Sequence, residues 1–232
     1  MKTVGFIGAY DKIDLILYIA KIMVAMKKKV LIIDATITQK AKYIVPAINP
    51  TKSYVTEFEG IDVAVGFYNY SDIKRYLSLT DMQRLDYDII LIDVDNINAI
   101  MELNIKEAIK KYFVTGFDLY SLKKGLEIVR EINESMEFTK VLFAKELLRE
   151  DNDYLDFLSI GHKITWSENK VFFPLNLADQ SVIMENQRVA RLKFKKLSED
   201  YRANILYMVE DILTDVTPNE IRRAYRNIER EE

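Results

Sequence analysis

Short apolar runs that end in turn residues alternate along this chain with longer stretches whose apolar positions recur at helical spacing. "KTVGFIG" reads as a first strand. "KIDLILYIAKIMVAMKK" reads as an amphipathic helix with Asp14 near its start, and "KKVLIIDA" as a short strand buried on both faces. "GIDVAVGF" follows as a strand, "SDIKRYLSL" as a short helix capped by Ser71 or Asp72, and "YDIILIDVD" as the strongest strand of all. "KKYFVTGF" is the next strand, and "DLYSLKKGLEIVREINES" a helix capped by Asp118. Further on, "FTKVLFAKEL" reads as another strand and "HKITWSENKVFFPLN" as one or two short ones, before a helical C-terminal third. Strands separated by helices build βαβ units. The expected fold class is therefore α/β, a doubly wound, mostly parallel sheet with helices on both faces. Its strands are expected at residues 2–7, 30–34, 61–66, 88–93 and 111–115.

No linker, repeat or low-complexity segment interrupts this pattern, so one domain is expected over residues 1–215. Residues 216–232 read as an appended C-terminal helix, opened by "TPNE". Its Ile221, Ala224, Tyr225 and Ile228 fall on one face, and its polar side carries both signs of charge. That thin apolar face suits docking onto protein better than onto lipid. "REDNDYLD", residues 149–156, reads as an exposed acidic loop; Glu150, Asp151, Asp153 and Asp156 lack calcium-loop spacing. "VARLKFKKLSEDYRANILYMVEDIL" reads as a helix, with Arg188, Arg191, Lys193, Lys195 and Lys196 in or beside it. A solvated surface explains those cations more simply than a DNA-binding patch.

Composition narrows the chemistry. With 232 residues, 49% of them hydrophobic, the chain can bury a large core. Its net charge of -3 gives no global grip on nucleic acid. The absence of cysteine removes disulfides and thiolate metal sites. Glycines and Asp11 interrupt the first apolar run too early for a secretion signal, and no long uncharged apolar run appears, so a cytoplasmic location is expected. His162 is the sole histidine, has no nucleophile signature around it, and reads as a loop or strand-start residue. Only 7 residues are glycine, against an ordinary share of ~7%, which is sparse for a backbone that must hug phosphate.

The stretch "GFIGAYDKIDLILYIAKIMVAMKKKVLIIDAT", with "YDIILIDVDN", "VTGFDLYSLKKGLEIV" and "FFPLNLADQSVIMENQRV", resembles the MinD/ParA family of P-loop ATPases, over roughly residues 1–215. Laid on the family's loop, G-K-G-G-x-G-K-T-T, this chain writes "FIGAYDKID". The resemblance makes Gly8 a loop glycine, Lys12 the phosphate-binding lysine, Asp34 the aspartate ending the second strand, and Asp93 the Walker B aspartate. Departures cluster where the chemistry would be. Phe6, Ala9 and Asp11 replace loop glycines, Ile7 the signature lysine, Ile13 the magnesium-binding threonine, and Thr36 the second aspartate. An aspartate in a phosphate nest adds like-charge repulsion, and each isoleucine removes a ligand or a charge.

On the resemblance, Gly8, Lys12, Asp34 and Asp93 are read as vestigial positions of a nucleotide site. The expected protein is a pseudo-ATPase scaffold, without catalytic residues, metal or cofactor, that helps position a pilus or secretion machine, as the TadZ/CpaE kind does. The alternatives are a slow, genuine ATPase using ATP and magnesium, and a DNA partition or chromosome-positioning factor. The implied partners are proteins, including a second copy in a homodimer and membrane-associated assembly machinery that would hold the chain at the inner membrane face. Such a dimer is expected to form without ATP. Ile7 and Tyr10 either form an exposed contact at the loop tip or fold inward to fill the phosphate site.

Overall fold

The computed structural model describes residues 1–48, 50–79, 86–132 and 134–232. In chain order the elements are β1 (Lys2–Ile7), α1 (Ile13–Ala25), β2 (Val30–Asp34), α2 (Ala41–Ile44), β3 (Tyr54–Phe58), β4 (Ile61–Val65), α3 (Tyr70–Leu79) and β5 (Ile89–Val94). There follow α4 (Ile97–Glu102), β6 (Lys110–Gly116), α5 (Leu119–Arg130), β7 (Met136–Ala144), α6 (Arg149–Leu158), β8 (Ile164–Pro174), α7 (Leu177–Val189), α8 (Glu199–Ile212) and α9 (Pro218–Glu231). A single 3-10 turn, Ile105–Glu107, precedes β6.

The strands form an eight-stranded sheet in the order β3-β4-β2-β5-β1-β6-β7-β8, parallel throughout except where β3 pairs antiparallel with β4. This is the doubly wound α/β fold that the alternating pattern predicts. Every residue of β2 and of β5 is buried, as strands covered on both faces require. One face packs against α1 and α8, with α9 laid on those two helices, through Tyr18, Tyr201, Ile221 and Tyr225, joined by Phe194 from the segment before α8. The other face is covered by α3, α4, α5 and α6 through Ile73, Ile100, Leu122 and Leu155.

Several boundaries differ from the sequence reading. Residues 149–156 belong to α6, not to a loop, because Leu155 inserts into the core and anchors the segment as a helix. The basic stretch is not one helix. α7 stops at Val189, Ala190 takes a left-handed conformation, and Leu192, Phe194 and Leu197 are buried in a non-helical segment, ending in a turn, before α8. Asn69, rather than Ser71 or Asp72, caps α3 by accepting the Asp72 N–H at 2.8 Å. α5 ends at Arg130, short of the expected "INES"; residue 133 there lies outside the described residues. Of the one or two short strands expected in "HKITWSENKVFFPLN", the structure forms a single longer one, β8, with a bulge: between Phe138↔Trp166 and Lys140↔Lys170, β8 advances four residues against two of β7.

Cap chemistry accounts for the last helix. Thr217 and Glu220 form a capping box with Pro218 at the first turn. The expected stripe, Ile221, Ala224, Tyr225 and Ile228, is buried against α1 and α8. Among the described residues no helix is long and apolar enough to cross a membrane.

Candidate functional site

Chain order reverses around β1, whose neighbours are β5 on one side and β6 on the other. A crevice opens beyond the carboxyl ends of strands at such a point. Here the loop after β1 (residues 8–12) and the loop after β2 (residues 35–40) border a cavity of about 370 Å³. Gly8, Lys12 and Asp93 line it; Asp34 lies beneath, at the end of β2.

Gly8 turns the chain at φ 141°, and a Cβ there would come within 2.2 Å of the Val114 carbonyl oxygen. Only glycine lets the loop lie this close to β6. Gly116 makes similar room: its missing Cβ would stand 3.0 Å from the Tyr10 ring. That ring stacks on Phe143 at 4.7 Å, and Phe143 on Phe173 at 4.9 Å. Burial, then Asp11 and Asp118, push the Tyr10 hydroxyl up to about 12.

Lys12 precedes α1 and turns its side chain back into the protein. Its ammonium donates to the Gly8 carbonyl at 2.9 Å and lies 2.6 Å from Asp93 Oδ1. Both side chains are buried, and apart from this ion pair that Asp93 oxygen has no hydrogen-bond partner among the described residues. Burial pushes the Asp93 carboxyl up to about 7, against the opposing pull of Lys12, with Asp34 adding to the rise. Asp34 is occupied differently. Its Oδ1 accepts from the Thr36 N–H at 3.1 Å and the Thr36 hydroxyl at 2.6 Å, and its Oδ2 accepts from the Ala41 N–H at 2.9 Å. Burial raises its pKa as well, and those donors oppose the rise. Asp34 therefore fastens the loop between β2 and α2.

Of the four positions read from sequence, Gly8, Lys12 and Asp93 meet at one point, and Asp34 lies in register beside Asp93. The replacements have structural reasons. Phe6 and Ile7 belong to β1 and are fully buried, on opposite faces of the sheet, and Ile13, the first residue of α1, is buried in the core. Of the two alternatives for Ile7 and Tyr10, the exposed contact is not the one formed: β1 extends through Ile7 and points it into the core, while Tyr10 stacks on Phe143. Asp11 reaches outward to pair with Lys40. His162 lies in the turn before β8, its Nδ1 3.1 Å from the Ser159 carbonyl oxygen.

Sequence reading missed Lys40, Asp95, Tyr120 and Lys124, all of which line the cavity. Asp95 had a usable signal, the second acid of "DVDN"; it accepts the Ile37 N–H at 2.9 Å. Lys40 had none, because it sits in an unpatterned loop. A second cavity, about 420 Å³, adjoins the first and is lined by Asp14, Phe143, Pro174, Gln187 and Tyr201 among others. Asp14 accepts two bonds from the Gln187 amide, at 2.8 and 2.9 Å.

No protein-family model and no curated protein matches this sequence. Solved structures do match its fold. A plasmid partition protein from Borrelia burgdorferi B31, bound to AMPPNP, is 14% identical with a TM-score of 0.60, covering 93% of this chain and 99% of that one. A ParA family ATPase from Chlorobium tepidum TLS is 14% identical with a TM-score of 0.58, over 90% and 97%. A chain of the MinC:MinD cell division protein complex of Aquifex aeolicus is 12% identical with a TM-score of 0.59, over 94% and 97%. The fold is thus that of the ParA/MinD P-loop ATPases. The expectation that no cofactor is involved is corrected by these neighbours, one of which was solved with AMPPNP on this same fold.

Proposed function

We propose that this chain binds a nucleoside di- or triphosphate beyond the carboxyl ends of β1, β2 and β5, and acts as a ParA/MinD-type positioning protein with slow hydrolysis. The observation that carries this reading is the cavity of about 370 Å³ at the point where chain order reverses, bordered by the loop that follows β1. Gly8 keeps that loop against β6, and Lys40 and Lys124 bring positive charge to the cavity wall.

The residues do not fit a magnesium ion. Ile13 offers no oxygen, both Asp34 oxygens are taken by protein donors, and Asp93 faces Lys12. Among the described residues no cluster of three histidine, cysteine, aspartate or glutamate side chains could hold a metal. With Ile7 in the core, no loop lysine crosses to a second copy. Slow turnover follows from both losses.

Protein partners, including a second copy, are supported by the exposed apolar side chains at the cavity end of the molecule. Ile37, Tyr43 and Tyr120 line the cavity and are mostly exposed, with Leu119 beside them. Placement of pilus or secretion machinery is the finer form of this reading, and rests on the resemblance to the TadZ/CpaE kind. A DNA-binding role has less support, because Arg191 pairs with Glu59 and Lys196 with Glu185.

Calorimetric titration with ATP and ADP tests the reading. Saturable binding of either nucleotide, with ATP turnover near background, is expected. No saturable binding up to millimolar nucleotide overturns the binding claim, and brisk turnover overturns the claim of slow hydrolysis.

A further inference from the structure

The lysine that the family pattern assigns to phosphate is committed elsewhere, since Lys12 is buried on the Gly8 carbonyl and Asp93. A different lysine stands where a ligand would arrive. Lys40, just before α2, borders both cavities, as do Tyr10 and Asp11. Its ammonium is paired with the Asp11 carboxylate, the residue least suited to a phosphate loop. The pair therefore stands at the boundary between the two spaces. It also neutralises the charge that would otherwise repel an anion.

We propose that Lys40 is the anion-gripping residue of this site, held in a latched form by Asp11 until a phosphate-bearing ligand displaces that carboxylate. The two side chains are 44% and 46% exposed, and ion pairs so open to water hold weakly. A di- or triphosphate brings more charge and more acceptor oxygens than one carboxylate, so it takes the ammonium in competition. Asp14, another acid on the second cavity, is engaged by the Gln187 amide through both of its oxygens. Displacement joins the two cavities into one trough. The ligand class, a nucleoside di- or triphosphate, rests on the function proposed above; the latch itself rests on the Asp11–Lys40 geometry.

The test titrates ATP and, separately, inorganic pyrophosphate into wild type, Asp11→Asn, Lys40→Gln and the double variant. Both residues are half exposed, so the variants fold. Asp11→Asn is expected to bind pyrophosphate and ATP about tenfold more tightly, and Lys40→Gln about tenfold more weakly, with the double variant resembling Lys40→Gln. ATP binding that neither substitution alters overturns the latch and leaves nucleotide binding standing. Pyrophosphate binding that follows the expected order without any ATP binding supports the latch and overturns the nucleotide reading. Failure of both ligands to bind wild type and Asp11→Asn overturns the latch as well.

Discussion

Lys12 and Asp93 form an ion pair at 2.6 Å, with side chains only 2% and 4% exposed. Removing one partner leaves the other buried and uncompensated, whereas removing both leaves an apolar space. Lys12→Ala is expected to destabilise the protein by about 3–5 kcal/mol, and Lys12→Met with Asp93→Leu by far less. Urea denaturation of the single and double variants measures this. A double loss equal to the sum of the two single losses would show that the pair is not coupled.

The same carboxylate sets a pH dependence. Asp93 lies at about 7 when folded, above the 3.8 of an unperturbed aspartate. Between those values the folded state holds a proton that the unfolded state has released. Stability therefore falls as pH rises from about 4 to about 7 and levels off above that. Asp34, raised by burial too, acts in the same direction. Thermal unfolding across this range should show a shallower decline for Asp93→Asn, and an unchanged slope would assign the effect to other groups.

Gly8→Ala places a methyl 2.2 Å from the Val114 carbonyl oxygen in a backbone conformation that alanine resists. A loss of at least about 1–3 kcal/mol is expected, together with weaker nucleotide binding as the loop leaves β6. Chemical denaturation and calorimetry read the two effects, and wild-type values in both would remove Gly8 from the account of the loop.

Trp166, the single tryptophan, lies beneath a buried cation. Lys140 Nζ is 5.1 Å from its ring centre, and the ammonium is held by Asp156 and by Asn152 Oδ1, at 3.1 Å from the latter. Asp156→Ala strips that lysine of its charged partner, with an expected cost of about 3 kcal/mol and a shift in tryptophan emission as α6 loosens. An unmoved spectrum would show that α6 is held by Leu155 alone.

The tail helix is an equally direct test of packing. Ile228 is buried at the end of the stripe that faces α1 and α8. Ile228→Ala should cost about 2–4 kcal/mol, visible as a lower urea midpoint with an unchanged slope. A loss of only a few tenths would show that α9 contributes little to the fold.

Period and cap chemistry made most of the framework readable in advance. β2 and β5 are apolar at every position but one aspartate, and such runs leave little choice but a doubly covered parallel strand. α9 declared itself through Thr217, Pro218 and Glu220. Acidic composition disguised α6, whose one fully buried anchor, Leu155, sits among charges. The stretch from 190 to 197 reads as helical because its apolar residues are spaced among lysines, but Phe194 and Leu197 reach the core from a segment that is not helical and ends in a turn. At the site, local pattern located the loop and its aspartates but not their commitments. That Lys12 turns inward, that Asp34 serves its own loop and that Lys40 meets Asp11 depend on residues brought together only by the closed sheet.

The bulge in β8 has a consequence for the molecule's life among its own copies. β8 is the last strand of the sheet on its side, and an outer strand with its ladder of amides open recruits strands from other chains. Here the register breaks between Trp166 and Lys170, where Glu168, Asn169 and Lys170 stand exposed. A neighbouring backbone cannot stay in step across two surplus residues, and charged side chains discourage it from trying. The sheet thus carries its own stop signal, and copies held close together need not zip into fibres.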